Sequence, residues 1–320
     1  MKEGTEDDML TRREFVARGA AGAAGIAALA GFGAAWPEEI VDIHQHTHYS
    51  GRSDETLIAH QRAMGVTRSV LLPAGSKLGL DANCYGNDSV LELARRYPAE
   101  LVFFANEVPD LPEARPVLET YLNLGACGIG EQKFHVDCDS RAIHLVAQIA
   151  RHYSVPVLLH FQHNVYNTNF LRFHTVLAKY PQVNFIGHAQ TWWGNIDRNH
   201  VQEVLYPKGR VTPGGYTDQL LSDYPNMYGD LSAGSGLNAL TRDEEHAGGF
   251  LLRHRGKLLY GSDCDDRIGS GEKCSGSQCL AELRRLVSDG GVLKDILVSN
   301  AKRVIPMDRQ ETATRLRVWD

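Results

Sequence analysis

Ile40-Val41-Asp42-Ile43-His44-Gln45-His46 decides how the chain is read. Ile40 to Ile43 is a short apolar run of strand character. Side chains alternate faces along a strand, so Asp42, His44 and His46 share one face. Two imidazoles then leave one strand end side by side, as two metal–nitrogen bonds of about 2.0–2.1 Å require. A lone H-x-H is common in surface loops, so the later histidines decide its meaning.

Further short apolar runs follow at regular intervals. Expected strands are Ile40–His44, Arg68–Leu72, Leu101–Ala105, Ala126–Lys133, Val155–His160, Val183–His188, Asn226–Leu231 and Lys257–Ser262. Ser89–Tyr97, Leu111–Leu124, Arg141–Tyr153 and Phe170–Lys179 carry apolar residues at helical intervals between them. Pro or Gly signals follow the helices, as in Tyr97-Pro98, Ser154-Val155-Pro156 and Tyr180-Pro181. Eight strands alternating with helices predict an α/β fold with a parallel sheet closed as a (β/α)8 TIM barrel. An open doubly wound sheet is the alternative, and it lacks a G-x-G-x-x-G after the first strand. Two long inserts, Trp192–Tyr224 and Asp263–Gly276, follow strands, where a barrel keeps its functional loops. Val292–Pro306 is expected to be a closing helix, and the polar tail Met307–Asp320 to pack along the outside or across a subunit contact.

The strand ends collect ionisable groups. Strand one ends in His44 and His46, strand four carries Glu131 and Lys133, strands five and six end in His160 and His188, and strand eight ends in Asp263. Any one of these has a plain structural explanation. Together they are hard to explain by packing, because buried ionisable groups are rare unless paired or metal-bound. A barrel brings its C-terminal strand ends to one mouth, so the set predicts a metal site there.

Composition agrees with a globular enzyme. The chain has 320 residues, 43% of them hydrophobic, and a net charge of −6, which gives no basic field for nucleic acid. Six cysteines show no C-x-x-C spacing; Cys274 and Cys279 share a Gly/Ser-rich loop and are expected as free thiols, with pairing in an oxidising compartment the alternative.

The N-terminal residues 1–35 read as an address. Arg12-Arg13, an apolar residue two positions on, and an Ala/Gly-rich run to Ala35 resemble a twin-arginine (Tat) export signal. Residues 36–320 are then the folded domain. The expectation is delivery to the periplasm by the Tat translocase, with no lasting membrane span after cleavage.

With D-I-H-Q-H, V-L-L-H, F-I-G-H and Y-G-S-D in place, the chain resembles the metal-dependent amidohydrolase superfamily, nearest its amidohydrolase-related (amidohydrolase 2) branch. Y-P-N-M-Y-G-D-L-S-A at 224–233 and V-S-N-A-K-R-V-I at 298–305 resemble that branch's seventh strand and closing helix. The resemblance implies His44, His46, Glu131, His160, His188 and Asp263 as metal ligands. It makes Asp263 a general base on a metal-activated water and His188 a group that polarises or protonates the substrate. Lys133 is implied as a carboxylated bridging lysine or a substrate contact, in competition with Glu131. His48 and His135 fall past the strand ends as loop groups. His163, Trp192, Trp193 and Arg198 are expected to shape the substrate pocket, and Asp230 and Ser232 to reach the mouth from strand seven. The implied cofactor is one or two divalent ions, Zn first and Mn or Fe as alternatives. The leading expectation is a hydrolase acting on a small amide, lactone or ester. A non-oxidative decarboxylase on the same barrel is the alternative, and a metal-dependent binding protein without turnover the third reading. An oligomer is compatible with the sequence.

Overall fold

The structure is a computed structural model that describes residues 39–75 and 83–310. The export signal expected over 1–35, and residues 311–320 of the tail, lie outside the described residues.

Eight strands run in chain order: β1 (Val41–Gln45), β2 (Arg68–Leu71), β3 (Leu101–Phe103), β4 (Ile129–Gln132), β5 (Val157–His160), β6 (Phe185–His188), β7 (Met227–Asp230) and β8 (Leu258–Leu259). All their pairings are parallel, in two ladders, β1-β2-β3 and β4-β5-β6-β7-β8. A parallel bridge between Ala105 and Ile129 joins β3 to β4. The other seam is closed by Ile43 N–H donating to Tyr260 O at 3.1 Å and Asp263 N–H to His44 O at 2.9 Å. The circuit is complete, and the fold is the expected (β/α)8 barrel. Every residue of β4 to β8 is buried, as strands enclosed on both faces must be.

The helix Arg141–Tyr153 shows how the sequence builds one wall. Ser140 caps it by accepting from Ile143 N–H, and Ile143, Val146, Ala147, Ile149 and Ala150 form its buried stripe. Ser154 then turns left-handed at φ 54°, and Pro156 leads the chain into β5.

Some elements differ from expectation. Phe170–Lys179 is two pieces, a 3-10 turn Phe170–Arg172 and a helix His174–Lys179, because Asn169 enters left-handed and Phe173 makes the joint. Val292–Pro306 is likewise divided: helices Gly290–Lys294 and Asn300–Val304 flank a π-helical turn, Asp295–Ser299. The insert after β6 is partly helical, over Gln190–Gly194 and Tyr216–Asp223. The loop after β8 leads into the helix Ser275–Leu286. Among the described residues, no helix is long and apolar enough to cross a membrane.

Candidate metal centre

The strand ends converge as the barrel requires. His44 and His46 bring their Nε2 atoms to 3.2 Å of each other. Glu131 places Oε2 at 3.6 Å from both. Asp263 places Oδ1 at 3.7 Å from His44 Nε2 and 3.5 Å from His46 Nε2. On the other side, His188 Nε2 lies 3.4 Å from Asp263 Oδ2 and 3.7 Å from Glu131 Oε1, and His160 Nδ1 lies 2.6 Å from the same Glu131 oxygen. All six expected ligands therefore meet, and all but Asp263, 11% exposed, are almost wholly buried.

Outer hydrogen bonds fix which nitrogen faces inward. His44 Nδ1 sits 2.7 Å from Asp230 Oδ2, an oxygen that can only accept, so Nδ1 is the donor. His46 Nδ1 sits 2.7 Å from the carbonyl of Leu72, which fixes the same tautomer. Two neutral rings so held point two lone pairs at each other across 3.2 Å. A proton or a cation must lie there. Donor atoms 3.2–3.7 Å apart match the edges, about 3.3 Å, of a tetrahedron with metal–nitrogen or metal–oxygen bonds of about 2.0–2.1 Å. The donor set fits a divalent cation, and the carboxylate and imidazole mixture suits Zn, Mn or Fe.

Without the cation, the groups hold one another. Burial disfavours the His44 imidazolium, but the carboxylates of Asp263 and Asp230 outweigh it and raise its pKa well above the ordinary value. Burial pushes Glu131 upward, but His160 and His44 hold it well below the usual carboxylate range. Asp263 is likewise pushed up by burial and held well below that range by His44 and His188. His160 is lowered by burial.

The backbone around the site is clamped. Asn106 Nδ2 donates to Glu131 O at 2.7 Å, and Asn167 Nδ2 donates to Gln132 O at 2.6 Å and His160 O at 2.8 Å. Asp42 does not join the ligands. Its carboxylate accepts from His44 N–H at 3.0 Å, Ser262 N–H at 2.9 Å and Gln61 Nε2 at 2.8 Å, locking β1 to β8. Ala189 and Asp263, one at the end of β6 and the other just past β8, take φ 81° and 40°, left-handed values that side chains rarely adopt.

Asp230 and Ser232 reach the mouth as expected, and Tyr49 joins them unexpected. Asp230 carries both His44 and, at 3.3 Å, His188 Nδ1 on one oxygen. Ser232 Oγ donates to that oxygen at 2.8 Å and lies 3.0 Å from His188 Nδ1. Tyr49 donates its hydroxyl to Asp263 Oδ1 at 2.9 Å, and nothing in its sequence context marks it.

The expected pocket residues divide. His163 lines a cleft of mixed character with Gln162, Asn169, Phe170, Leu171 and Arg172, and Gln162 Oε1 reaches His160 Nε2 at 3.3 Å, so the cleft adjoins the centre. Trp192 and Trp193, expected at the mouth, are instead core residues at 0% and 2% exposure. Gly187 makes room for them: a Cβ there would fall 2.5 Å from the Trp192 ring. Trp193 Nε1 donates to Asp230 O at 2.9 Å, so that ring supports the centre from beneath. Arg198 is exposed, with its guanidinium against Gly214 in the insert. Lys133 lies past the end of β4 with its ammonium 5.5 Å from the Tyr166 ring, while Glu131 occupies the strand-four place among the ligands. His48 and His135 are loop groups, on Asn83 O and Val165 O. The cysteines are free thiols, and the sulfur neighbour of Cys274 is Cys264, not Cys279.

No protein-family model matches the sequence, and no curated protein matches it. Solved structures match the fold. An uncharacterized TIM-barrel protein from Bordetella bronchiseptica superposes with a TM-score of 0.62 at 16% identity, over 85% of this chain and 99% of that one. A probable 2-pyrone-4,6-dicarboxylic acid hydrolase from Acinetobacter baumannii gives 0.56 at 15%, over 83% and 98%. A 2,6-dihydroxybenzoate decarboxylase from Rhizobium gives 0.55 at 14%, over 84% and 99%. At these identities the likeness establishes the barrel.

Proposed function

We propose that the chain is a metal-dependent hydrolase of the amidohydrolase kind, acting on a small amide, lactone or ester. The observation that carries this is how Glu131 divides its oxygens. Oε2 faces His44 and His46, while Oε1 faces His160 and His188. Asp263 divides in the same sense, Oδ1 toward His44 and His46 and Oδ2 toward His188. The six side chains thus form two adjoining donor sets that share carboxylates, an arrangement suited to two ions.

Bound divalent metal would supply Lewis acidity and bring a water's pKa from 15.7 to about 7. The chain supplies the rest. His44 and His46 present fixed lone pairs because Asp230 and Leu72 O hold their other nitrogens. Asp263, held ionised by His44 and His188, is the general base that accepts the proton of the attacking water. Tyr49 steadies its Oδ1. His188 keeps Nδ1 on Asp230 and Ser232 and turns Nε2 to the second donor set, where it would hold the ion that polarises the substrate. The cleft beside Gln162 and His163 receives the substrate and offers amide and imidazole groups to it.

Non-oxidative decarboxylation is the second reading. It is favoured by the 2.6 Å contact of His160 Nδ1 with Glu131, which would make His160 an anchor of Glu131 and leave a single ion on His44, His46 and Asp263. The structural neighbours bear names of both reaction types. Elemental analysis of the purified chain beside Glu131→Ala separates the two. The hydrolase reading expects the variant to hold at least one ion fewer, and wild type to turn over members of an amide, lactone and ester panel. An unchanged metal content, with turnover only of carboxylated substrates, overturns it.

A further inference from the structure

A second cluster of metal-ligating side chains lies outside the barrel-mouth centre. His60 comes from the helix Asp54–Ala63, Cys264 from the loop after β8, and Cys274 from the N-terminal cap of the helix Ser275–Leu286. Cys264 Sγ is 3.5 Å from Cys274 Sγ, and Cys274 Sγ is 3.4 Å from His60 Nε2. Met64 brings its thioether sulfur to 3.6 Å from Cys274 Sγ. All four residues are buried.

Two observations distinguish this cluster from ordinary buried thiols. His60 is wholly buried and turns Nε2 to the sulfurs, leaving Nδ1 without a hydrogen-bond partner among the described residues. The donor separations also match a coordination polyhedron. Tetrahedral bonds of about 2.3 Å to sulfur and about 2.0–2.1 Å to nitrogen give edges of about 3.6–3.8 Å. The three separations from Cys274 Sγ, 3.4–3.6 Å, lie at or just inside that spacing. Ser277 N–H donates to Cys274 Sγ at 3.3 Å, which favours a thiolate there. Asp266 stands at 3.9 Å from His60, its Oδ2 already accepting from Ile268 and Gly269 N–H.

We propose that His60, Cys264, Cys274 and Met64 form a closed structural site for a soft d10 cation, Zn2+ or Cu+. Thiolate and thioether ligands select such ions, whereas the His/carboxylate centre also suits the harder Mn2+ and Fe2+. With four protein ligands and no open position, the site is structural. It ties the loop after β8 to the helix Asp54–Ala63. Cys264 directly follows Asp263, and its carbonyl accepts from Arg52 Nη1 at 2.8 Å and Gln45 Nε2 at 3.0 Å. The bound cation therefore holds the segment that carries Asp263.

The test is cobalt substitution in the full chain, stripped of metal and kept reduced. Cysteine ligation gives a thiolate-to-cobalt charge-transfer band in the near ultraviolet that His and carboxylate ligands cannot give. The expected result is such a band in wild type, absent from Cys264→Ser with Cys274→Ser, while a visible cobalt spectrum from the mouth centre remains at lower affinity. Displacement by Zn2+ assigns the site to zinc; displacement by Cu+ alone assigns it to copper. If the double variant does not fold, protection of Cys274 from alkylation by added Zn2+ or Cu+ in wild type serves instead. Cobalt loading without a thiolate band overturns the proposal. So does finding Cys264 and Cys274 unreactive toward alkylation in the denatured chain until reductant is added, since they would then be a disulfide.

Discussion

Replacing Asp230 by asparagine would remove one charge from beneath two histidines and change almost nothing else. Asp230 is fully buried, with Oδ2 accepting from His44 at 2.7 Å and Ser232 at 2.8 Å and touching His188 at 3.3 Å. Its Oδ1 has no partner among the described residues and faces Gly261, where a Cβ would lie 2.5 Å away. The asparagine NH2 can take the Oδ1 position and leave an oxygen where Oδ2 now accepts. A hydrogen bond to a charged acceptor contributes about 1.5–3 kcal/mol and one to a neutral acceptor about 0.5–1.5. The short His44 bond then loses about 1–1.5 kcal/mol. The longer contact to His188 loses less, so the total is about 2 kcal/mol, or about 30-fold in metal affinity at 1.36 kcal/mol per tenfold. That lies inside the roughly 10–100-fold range for residues that orient metal-binding histidines. The variant should also change the pH dependence. Asp230 helps raise the His44 pKa, so removing it lessens proton competition, and the loss of affinity should shrink as pH falls. Chelator competition followed by elemental analysis, across pH, measures both. Wild-type affinity at every pH would refute the claim that Asp230 orients and polarises the centre.

Other outcomes follow from the same geometry. Glu131→Gln keeps the shape but loses the shared carboxylate, so metal content should fall and turnover drop by at least about 100-fold, roughly the loss of one charged catalytic interaction; unchanged content on elemental analysis would remove Glu131 from the ligands. In the metal-free chain, His44 is raised, so its stabilisation is complete below about pH 6.5 and is lost as pH rises through its folded pKa. Glu131 and Asp263 are depressed, so theirs is present above about pH 4 and is lost as pH falls through their folded values. Metal reverses the alkaline limb, because the cation replaces the proton on His44; melting temperatures that fall alike above neutrality, loaded and stripped, would contradict this. Gly187→Ala places a Cβ 2.5 Å from the Trp192 ring and 2.8 Å from Met227, so overpacking should cost about 1–3 kcal/mol in denaturant titration and weaken metal binding through His188. Arg12→Lys with Arg13→Lys should keep the protein in the cytoplasm, and arrival of the double variant in the periplasm would dispose of the twin-arginine reading.

The convergence at the mouth is legible in the sequence because each group lies at or just past the end of an apolar run. A barrel fixes where such ends go, so His44, His46, Glu131, His160, His188 and Asp263 are expected together, and the structure brings them together. What escaped was whatever depends on side-chain direction beyond the strands. Trp192 and Trp193 follow a strand end, where loops usually line the mouth. Ala189 turns with φ 81°, however, and the short helix that follows folds the Trp192 ring back over Gly187 and the Trp193 ring against Gly229. Tyr49 reaches Asp263 across 214 positions of chain, with only a 3-10 turn to place it.

The cysteines show the same limit from the other side. Cys274 and Cys279 are close in sequence, but five positions on a capped helix turn their sulfurs apart. Cys279 faces Ala233 O at 4.0 Å, while Cys274 caps the helix and turns toward Cys264 and His60. Spacing along the chain reports neighbours only while one regular element carries both residues. Here the informative spacing was the loop from Cys264 to Cys274, which starts one residue after Asp263. The loop that delivers Asp263 to the mouth is thus the loop whose two ends the thiols bring together. A defect in the cysteine cluster should therefore reach the metal centre through Asp263, with Arg52 and Gln45, which hold the Cys264 carbonyl, opposing it. Removing Arg52 in a chain that lacks both thiols should weaken the mouth centre more than the two changes do separately. Simple additivity of the two losses would show that the loop is held by the barrel alone.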